Sequence, residues 1–396
     1  MATPEDEDEA GAEAEPGAWT PNPNRDPAFA VTPVPEEVVA FHRSLDGYAP
    51  TPLRELPDVA AELGVGRVFA KDESMRLGLP AFKALGASWA MRRALAARAV
   101  DAPAGATSSA AVSPVTFVTA TDGNHGRAVA RMARLLGHRA QVFVPDGVHP
   151  TAVGAIEAEG APVTVAGGSY DHAVAMAAGW ANDHDGAILL QDTAWDGYEE
   201  IPGWIVQGYA TLFAELDVQL SEAGVDAPDV VFVPAGVGSL AQACVTHYRS
   251  RGNPARTRLV SVEPVVAACV LASLRTGEAT AVTTSVTTMA GLNCGTVSSL
   301  AWPLLRAGLD GAVAVTDRAA AQAATALRTG GVDAGPCGWA PLAGARLVAL
   351  DRNAPGMGAG AGGATWASAR DHLGVNARSV IVLVATEGAA ANPSGA

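Results

Sequence analysis

The sequence predicts an α/β protein built around parallel sheets. From about residue 115, short runs of β-branched residues alternate with helical patterns, which is typical of repeated strand-helix-strand units. A chain of 396 residues is too long for one small core and fits two domains or one large α/β unit. Glycine-rich loops follow several predicted strands, at the edge of the sheet where such folds bind ligands.

The predicted elements follow one another without an internal repeat. Each predicted strand is a short apolar run, and each predicted helix carries apolar residues at helical spacing. The predicted strands cover residues 115–119, 141–144, 163–166, 188–191, 230–233, 259–262 and 380–384. The predicted helices cover residues 126–136, 152–159, 172–182 and 201–216. Residues 101–113, rich in Ala, Pro and Ser, and residues 354–363, rich in Gly, are expected to be flexible surface loops.

The composition excludes several classes of protein. A net charge of -15 argues against nucleic-acid binding, and no apolar run approaches the roughly 20 residues of a membrane helix. Four separated cysteines and eight scattered histidines show no metal-ligand spacing, so a reduced, cytoplasmic protein without a metal is expected. The first 15 residues carry seven acids and no base, and residues 1–27 are expected to be a disordered tail rather than a secretory signal.

Lysine is almost absent from the chain, which has 24 Arg and only two Lys. Both lysines, Lys71 and Lys83, lie in the stretch KDESMRLGLPAFKALGASWA. A guanidinium cannot add to an aldehyde, whereas a lysine amine can form a Schiff base. Lys83 follows Pro80, which suits a first helical turn, so its amine is expected near a helix start that disfavours positive charge. The alternative is that two lysines survive by chance and that one pairs with an acid.

The loop TATDGNHG lies between a predicted strand and a predicted helix. Its glycines allow a tight turn, and amides at a helix start bind a carboxylate or phosphate. Thr121, Asn124 and His125 add polar groups to this loop. An acid at this position, Asp122, would repel an anion unless it handles protons. The alternative is an aspartate that only caps the helix.

Two more loops follow predicted strands. In PAGVGSL, Gly236, Gly238 and Ser239 form a possible phosphate cradle, with close helix packing as the alternative reason for the glycines. In ATEG, the hydroxyl of Thr386 can bond a neutral ring nitrogen, or it belongs to an ordinary turn. An imine-forming lysine, a phosphate cradle, an anion loop and a hydroxyl together match the requirements of pyridoxal phosphate.

Seven stretches also carry a family resemblance: KDESMRLGLPAFKALGASWA, ATDGNHGRAVA, QDTAWDGYEEIPGWIVQGY, PAGVGSLA, SVEP, MAGLNCGT and TEG. The chain resembles the fold-type II pyridoxal phosphate enzymes, the tryptophan synthase β-like group, and within them the diaminopropionate ammonia-lyase family. The resemblance implies two domains, each an open, mainly parallel sheet flanked by helices, with the cofactor in the interdomain cleft. Residues 28–91 and 211–396 would form the large domain and residues 92–210 the small one. A homodimer is also implied.

The resemblance assigns roles to individual residues. Lys83 would carry the cofactor covalently, Asn124 would contact its phenolic oxygen, and Thr386 would bond its ring nitrogen. The phosphate would be bound by Gly236, Val237, Gly238 and Ser239. The substrate would be bound by Thr121, Asp122, His125 and Asp192.

The implied reaction is elimination of ammonia from D- or L-2,3-diaminopropionate, giving pyruvate and two ammonia. Lys83 would take the α-proton from one face, and Asp122 would take it from the other face in the D form. Asp122 or Asp192 would hold the leaving amine as ammonium, although a structural salt bridge also explains Asp192. Asp122 replaces a serine common in the wider group, which speaks against a serine or threonine dehydratase. A catalytically silent ligand-binding protein is the alternative of another class. Residues 331–340 depart from the family pattern and receive no role.

Overall fold

The computed structural model describes residues 17–100, 114–250, 256–350 and 366–391. The loops predicted at residues 101–113 and 354–363 lie outside the described residues. None of the described helices is long and apolar enough to cross a membrane. The strands are β1 (Ala18–Pro21), β2 (Leu53–Glu55), β3 (Arg67–Asp72), β4 (Thr116–Ala120), β5 (Arg139–Val144), β6 (Val163–Val165), β7 (Ala187–Leu189), β8 (Val230–Pro234), β9 (Arg258–Pro264), β10 (Gly311–Val315) and β11 (Val380–Ala385).

Helices separate most of these strands along the chain. They are α1 (Glu37–Arg43), α2 (Pro57–Leu63), α3 (Ala84–Val100), α4 (Asn124–Leu135), α5 (Pro150–Glu157), α6 (Tyr170–Asp183), α7 (Glu200–Gly208), α8 (Ala210–Glu222), α9 (Ser239–Tyr248), α10 (Cys269–Thr276), α11 (Ala301–Gly308), α12 (Asp317–Thr329), α13 (Pro336–Ala349) and α14 (Trp366–Leu373). Short 3-10 turns occur at Val265–Ala267 and Ala290–Leu292.

The larger sheet has seven strands in the order β1-β10-β9-β8-β11-β3-β2. Its five central strands are parallel, and β1 and β2 pair antiparallel at the edges. Alternate residues of β8 enter different cores, with Val231 and Val233 in one and Val230 and Phe232 in the other. Both faces of this sheet are therefore covered, which explains the continuous apolar runs in its central strands.

The smaller sheet has four parallel strands in the order β6-β5-β4-β7. The predicted fold class of two mainly parallel sheets flanked by helices is confirmed. All four strands fall within residues 92–210, the range predicted for the small domain. Helix α3, however, continues across the predicted boundary at residues 91 and 92. The domain limits stay a prediction.

The predicted disordered tail extends too far along the chain. Residues 1–16 lie outside the described residues, but Ala18–Pro21 forms β1. Ala18 pairs antiparallel with Ala314 of β10, and Trp19 is buried. The apolar Trp19 lies four residues after Glu15, the last acid of the run, and burial of its ring and pairing with the edge of the sheet order this segment.

The single long helix predicted at residues 201–216 is wrong, because α7 ends at Gly208 and α8 begins at Ala210. The break lies where α7 packs closely on α3. A Cβ atom on Gly208 would lie 2.5 Å from the carbonyl oxygen of Leu85. Tyr209 then donates its amide to the carbonyl of Val206 in a tighter turn. The apolar periodicity continues through the break, which is why the sequence pattern does not show it.

One of the two lysines is a structural residue. Lys71, on β3, is fully buried, and its ammonium donates to Thr51 O at 2.7 Å, Glu215 Oε2 at 2.7 Å and Gln219 Oε1 at 3.0 Å. Arg76 is buried in the same cluster and bonds both Glu215 and Glu73. The two cations and two carboxylates therefore form a neutral buried network. A compact ammonium fits this three-acceptor pocket better than a planar guanidinium, which accounts for lysine here.

We expect Lys71→Met to lower the free energy of unfolding by about 3 kcal/mol, because the substitution leaves one buried negative charge uncompensated. Urea denaturation followed by circular dichroism measures this change. Arg346→Ala is the control, since Arg346 makes a more exposed pair with Glu62 at 2.8 Å and should contribute below about 1 kcal/mol. Equal effects of the two substitutions would contradict the structural role of Lys71.

Candidate active site

The second lysine lies where the two sheets meet. Lys83 directly precedes α3, and its Nζ donates to Oδ2 of Asp192 at 2.6 Å. Burial lowers the pKa of Lys83, but the Asp192 carboxylate more than offsets this, so the pKa lies above its usual range. Lys83 lies at a helix start as expected, but the net shift of its pKa is upward rather than downward. A carboxylate at hydrogen-bond distance outweighs the helix dipole.

Asp192 connects the two parts of the chain. It follows β7 of the smaller sheet, and its backbone oxygen accepts from Ser239 Oγ at 3.2 Å, at the start of α9. Burial raises the pKa of Asp192, but the Lys83 ammonium that donates to it more than offsets this effect, and the pKa lies below its usual range. Asp192 is therefore ionised at neutral pH. It is 7% exposed, so this charge is held in a largely desolvated position.

His125 lies beside Asp192, at the start of α4. Its Nε2 donates to the Leu190 carbonyl at 2.8 Å, and its Nδ1 lies 3.7 Å from Asp192 Oδ2. Burial lowers the pKa of His125. The neutral ring, protonated at Nε2, then turns its Nδ1 toward the site. The predicted role of His125 in substrate binding stays a prediction.

The anion loop follows β4. Its shape is fixed by Thr121, whose buried hydroxyl oxygen accepts from the amides of Gly123 at 2.9 Å and Gly126 at 3.1 Å. In this geometry Thr121 shapes the loop, and a direct contact with substrate stays a prediction. Gly123 is the N-cap of α4, and no side chain caps that end, so Asp122 does not have the capping role that was its alternative.

Asp122 lies in this loop, close enough to Lys83 and Asp192 for their charges to act on its carboxyl. Solvent reaches its side chain, yet the surrounding protein desolvates the carboxyl and raises its pKa to about 6. Lys83 opposes this shift, and the charge of Asp192 adds to it. Two carboxylates near one lysine amine thus have pKa values moved in opposite directions, a pattern that distinguishes a proton-transferring acid from a permanently charged one.

The predicted phosphate loop connects β8 to α9. Gly238 has φ +95°, a conformation that favours glycine, and a Cβ atom on it would lie 2.8 Å from Leu305 Cδ1. The loop thus needs glycine both for its backbone and for close packing. Ser239 begins the ten-residue helix α9, so amides at this helix start are available to an anion.

Thr386 directly follows β11 and is buried. Within the described part of the chain, its Oγ1 has no hydrogen-bond partner. A buried hydroxyl without a partner is unfavourable by about 1–3 kcal/mol, and an acceptor such as a ring nitrogen removes that penalty. Asn124 lies near Thr386, as shown by the hydrogen bond that its Nδ2 donates to Oε2 of the adjacent Glu387 at 2.6 Å. These residues fit pyridoxal phosphate.

The structure adds three residues that the sequence analysis did not single out. Tyr170, the first residue of α6, accepts from Gln191 Nε2 at 2.7 Å. Burial raises the pKa of Tyr170, and the charges of Asp192 and Asp122 raise it further. Burial likewise raises the pKa of Cys294 to about 12. Tyr209 buries its hydroxyl near Lys83. The matching stretches QGY and MAGLNCGT contained two of these positions and were a usable signal.

Comparison with known proteins agrees with this geometry. A family described as pyridoxal-phosphate dependent enzyme matches residues 45–358. The chain is similar to diaminopropionate ammonia-lyase of Salmonella typhimurium, at 41% identity over 69% of this chain and 70% of that protein. It is also similar to diaminopropionate ammonia-lyase of Escherichia coli, at 36% identity over 88% and 86% of the two chains.

A solved structure gives the same result. The crystal structure of the Escherichia coli enzyme in complex with an aminoacrylate-PLP azomethine reaction intermediate aligns with a TM-score of 0.82. The alignment has 32% sequence identity and covers 94% of each chain. The chain therefore belongs to the pyridoxal-phosphate dependent enzymes and, within them, to the diaminopropionate ammonia-lyases.

Proposed function

We propose that this protein eliminates ammonia from 2,3-diaminopropionate and so yields pyruvate and two ammonia. The observation that carries this proposal is the arrangement of Asp122 and Asp192 around Lys83, with one carboxyl near pKa 6 and the other permanently ionised. A substrate with two amines needs both a proton acceptor and a fixed negative charge. The similar proteins from Salmonella and Escherichia coli are named for this reaction.

The cofactor is held by this chain's own groups. Lys83 would supply the amine for the covalent link, Thr386 would donate its hydroxyl to the ring nitrogen, and Asn124 would contact the phenolic oxygen. The phosphate would be bound by the loop made by Gly236, Val237, Gly238 and Ser239. When bound, pyridoxal phosphate takes up the negative charge that develops at the α-carbon of the substrate.

Lys83 acts as the base on one face of the substrate. As a free amine, the Nζ of Lys83 would accept the α-proton. Asp192, 2.6 Å from Nζ, orients this amine and stabilises the ammonium that results. Ser239 in turn holds Asp192 in place, because its hydroxyl donates to the backbone oxygen of Asp192.

The β-amine leaves only when it is protonated, because a neutral amine is a better leaving group than an amide anion. Asp192 is ionised and buried, so it can hold the β-ammonium in place. Loss of ammonia from the β-carbon gives aminoacrylate, which takes up water after release and yields pyruvate and the second ammonia. A role of Asp192 as only a salt-bridge partner of Lys83 is the competing account.

Asp122 acts on the opposite face. A carboxyl with a pKa of about 6 is mostly deprotonated at pH 7 to 8 and can accept a proton, which suits a general base. We infer that it takes the α-proton of the D enantiomer. Thr121 supports this by fixing the loop that carries Asp122.

Pyruvate release from D- and L-2,3-diaminopropionate, with L-serine and L-threonine compared at equal concentration, tests the proposal. We expect the diamino acids to be turned over much faster, because the site holds a second cationic amine. A higher kcat/KM for serine or threonine would replace the proposal with a dehydratase. No turnover of any of the four, with no visible absorption of a bound cofactor, would favour a silent binding protein.

We further propose that the enzyme works in the cytoplasm as a homodimer. The family resemblance supports the dimer. All four cysteines, Cys244, Cys269, Cys294 and Cys337, are free thiols, which suits a reducing compartment. Light scattering during size-exclusion chromatography measures the subunit number directly.

A further inference from the structure

Glu387 is a buried carboxylate beside the cofactor site. It directly follows Thr386 and is only 2% exposed. Its Oε2 accepts from Asn124 Nδ2 at 2.6 Å, at the start of α4, and its Oε1 accepts from the Cys337 amide at 3.1 Å, in the first turn of α13. The Glu387 side chain thus connects the end of β11 in the larger sheet with the start of α13 and with the start of α4, beside the anion loop of the smaller sheet.

The chemistry of this pair fixes the orientation of Asn124. A side-chain amide has an NH2 group with two donors and an oxygen that only accepts. Both carboxyl oxygens of Glu387 accept from N–H donors, so Glu387 pairs with the NH2 group of Asn124 and not with its oxygen. The second N–H of Asn124 then remains available to another acceptor. Without Glu387, the amide could present its oxygen in the same direction.

The backbone around Glu387 holds the carboxylate in position. The Glu387 carbonyl accepts from the Gly335 amide at 2.9 Å. A Cβ atom on Gly335 would lie 2.7 Å from the Gly388 carbonyl oxygen, so this close packing requires glycine there. The residues just before α13, which received no role from the sequence, therefore pack closely against the backbone of Glu387 and Gly388.

We propose that Glu387 is a positioning residue that holds the NH2 group of Asn124 toward the phenolic oxygen of pyridoxal phosphate. The phenolic oxygen is an acceptor, so it requires the nitrogen end of the amide. This inference rests on the proposed contact between Asn124 and the cofactor. It adds a reason why a carboxylate, rather than an amide of the same size, occupies position 387. Both oxygens face N–H donors, and glutamine would turn its own NH2 group toward one of them.

Cofactor affinity tests the proposal independently of turnover. The dissociation constant of pyridoxal phosphate is measured by dialysing the holoenzyme against stepped cofactor concentrations and recording its visible absorption. We expect Glu387→Gln to weaken binding about ten- to a hundredfold and to change the absorption band, because a charge-assisted hydrogen bond is lost. Glu387→Asp keeps both acceptors one methylene shorter and should give an intermediate loss.

A double-mutant cycle shows whether the effect passes through Asn124. Asn124→Ala alone should weaken binding, and adding Glu387→Gln to it should weaken binding no further than about twofold. The control is Glu55→Gln, which removes a more exposed charge paired with Arg67 at 2.7 Å and should leave affinity unchanged.

Three outcomes overturn the inference. Additive losses in the double variant would show that Glu387 does not act through Asn124. Unchanged affinity and absorption in Glu387→Gln, with a loss in Asn124→Ala, would remove Glu387 alone and leave the Asn124 contact in place. Unchanged affinity in Asn124→Ala would remove the Asn124 contact itself and the inference with it, while turnover of diaminopropionate would still establish the proposed reaction.

Discussion

Lys83→Arg is expected to lower pyruvate release from 2,3-diaminopropionate by at least about a thousandfold. The guanidinium keeps a positive charge beside Asp192, which lies 2.6 Å from Lys83 Nζ, so the ion pair that joins the two parts of the chain can persist. It cannot form a Schiff base or act as the base at the α-carbon. The substitution thus removes covalent attachment and one proton transfer together. Turnover and the visible absorption of the bound cofactor are both measured.

The other lysine is the matched control for this variant. Lys71→Arg changes the same residue type in a pocket that the reaction does not use, and the folded fraction should keep its turnover per molecule. A Lys83→Arg enzyme that retains a tenth of wild-type turnover, or that keeps the absorption of a lysine-linked cofactor, would contradict the role of Lys83.

Three of the five central strands of the larger sheet, β8, β9 and β11, were predictable because burial on both faces requires continuous apolar runs. The strands β4, β5, β8, β9 and β11 lie within a few residues of their predicted positions. Strand β10, with the sequence GAVAV, was missed because it has few β-branched residues. Strand β1 contains a proline and forms by pairing with β10 almost 300 residues away, so no local pattern reports it.

The candidate site was predictable where chemistry depends on a strand-end loop. Asp122, Gly238 and Thr386 follow β4, β8 and β11, and a short motif is enough to place such residues. Contacts between distant segments were not predictable. The sequence does not show that Asp192 lies against Lys83, and so it gave the wrong direction for the pKa of the lysine. Glu387 lies in the matching stretch TEG, but the sequence does not show its contacts with Asn124 and Cys337.

Asp122→Asn is expected to lower kcat/KM for D-2,3-diaminopropionate by about a hundred- to a thousandfold and to affect the L enantiomer much less. The reason is geometric. Lys83 can lie on only one face of the substrate, so removal of the α-proton from the D enantiomer needs a base on the opposite face. The amide keeps the size of Asp122 and its place in the loop held by Thr121, but it cannot accept a proton. Asp196→Asn is the control, since Asp196 is an exposed aspartate in the same stretch as Asp192.

The pH dependence of turnover of the D enantiomer tests whether Asp122 acts as a base. The pKa of Asp122 is raised to about 6, so its carboxyl becomes protonated at a higher pH than an ordinary aspartate does. A base works only when deprotonated, and turnover of the D enantiomer should therefore fall as the pH drops below about 6. The Asp122→Asn enzyme should lose this dependence along with its activity. Equal losses for both enantiomers would instead place Asp122 at the leaving β-amine, because that step is common to the two substrates, whereas removal of the α-proton is not.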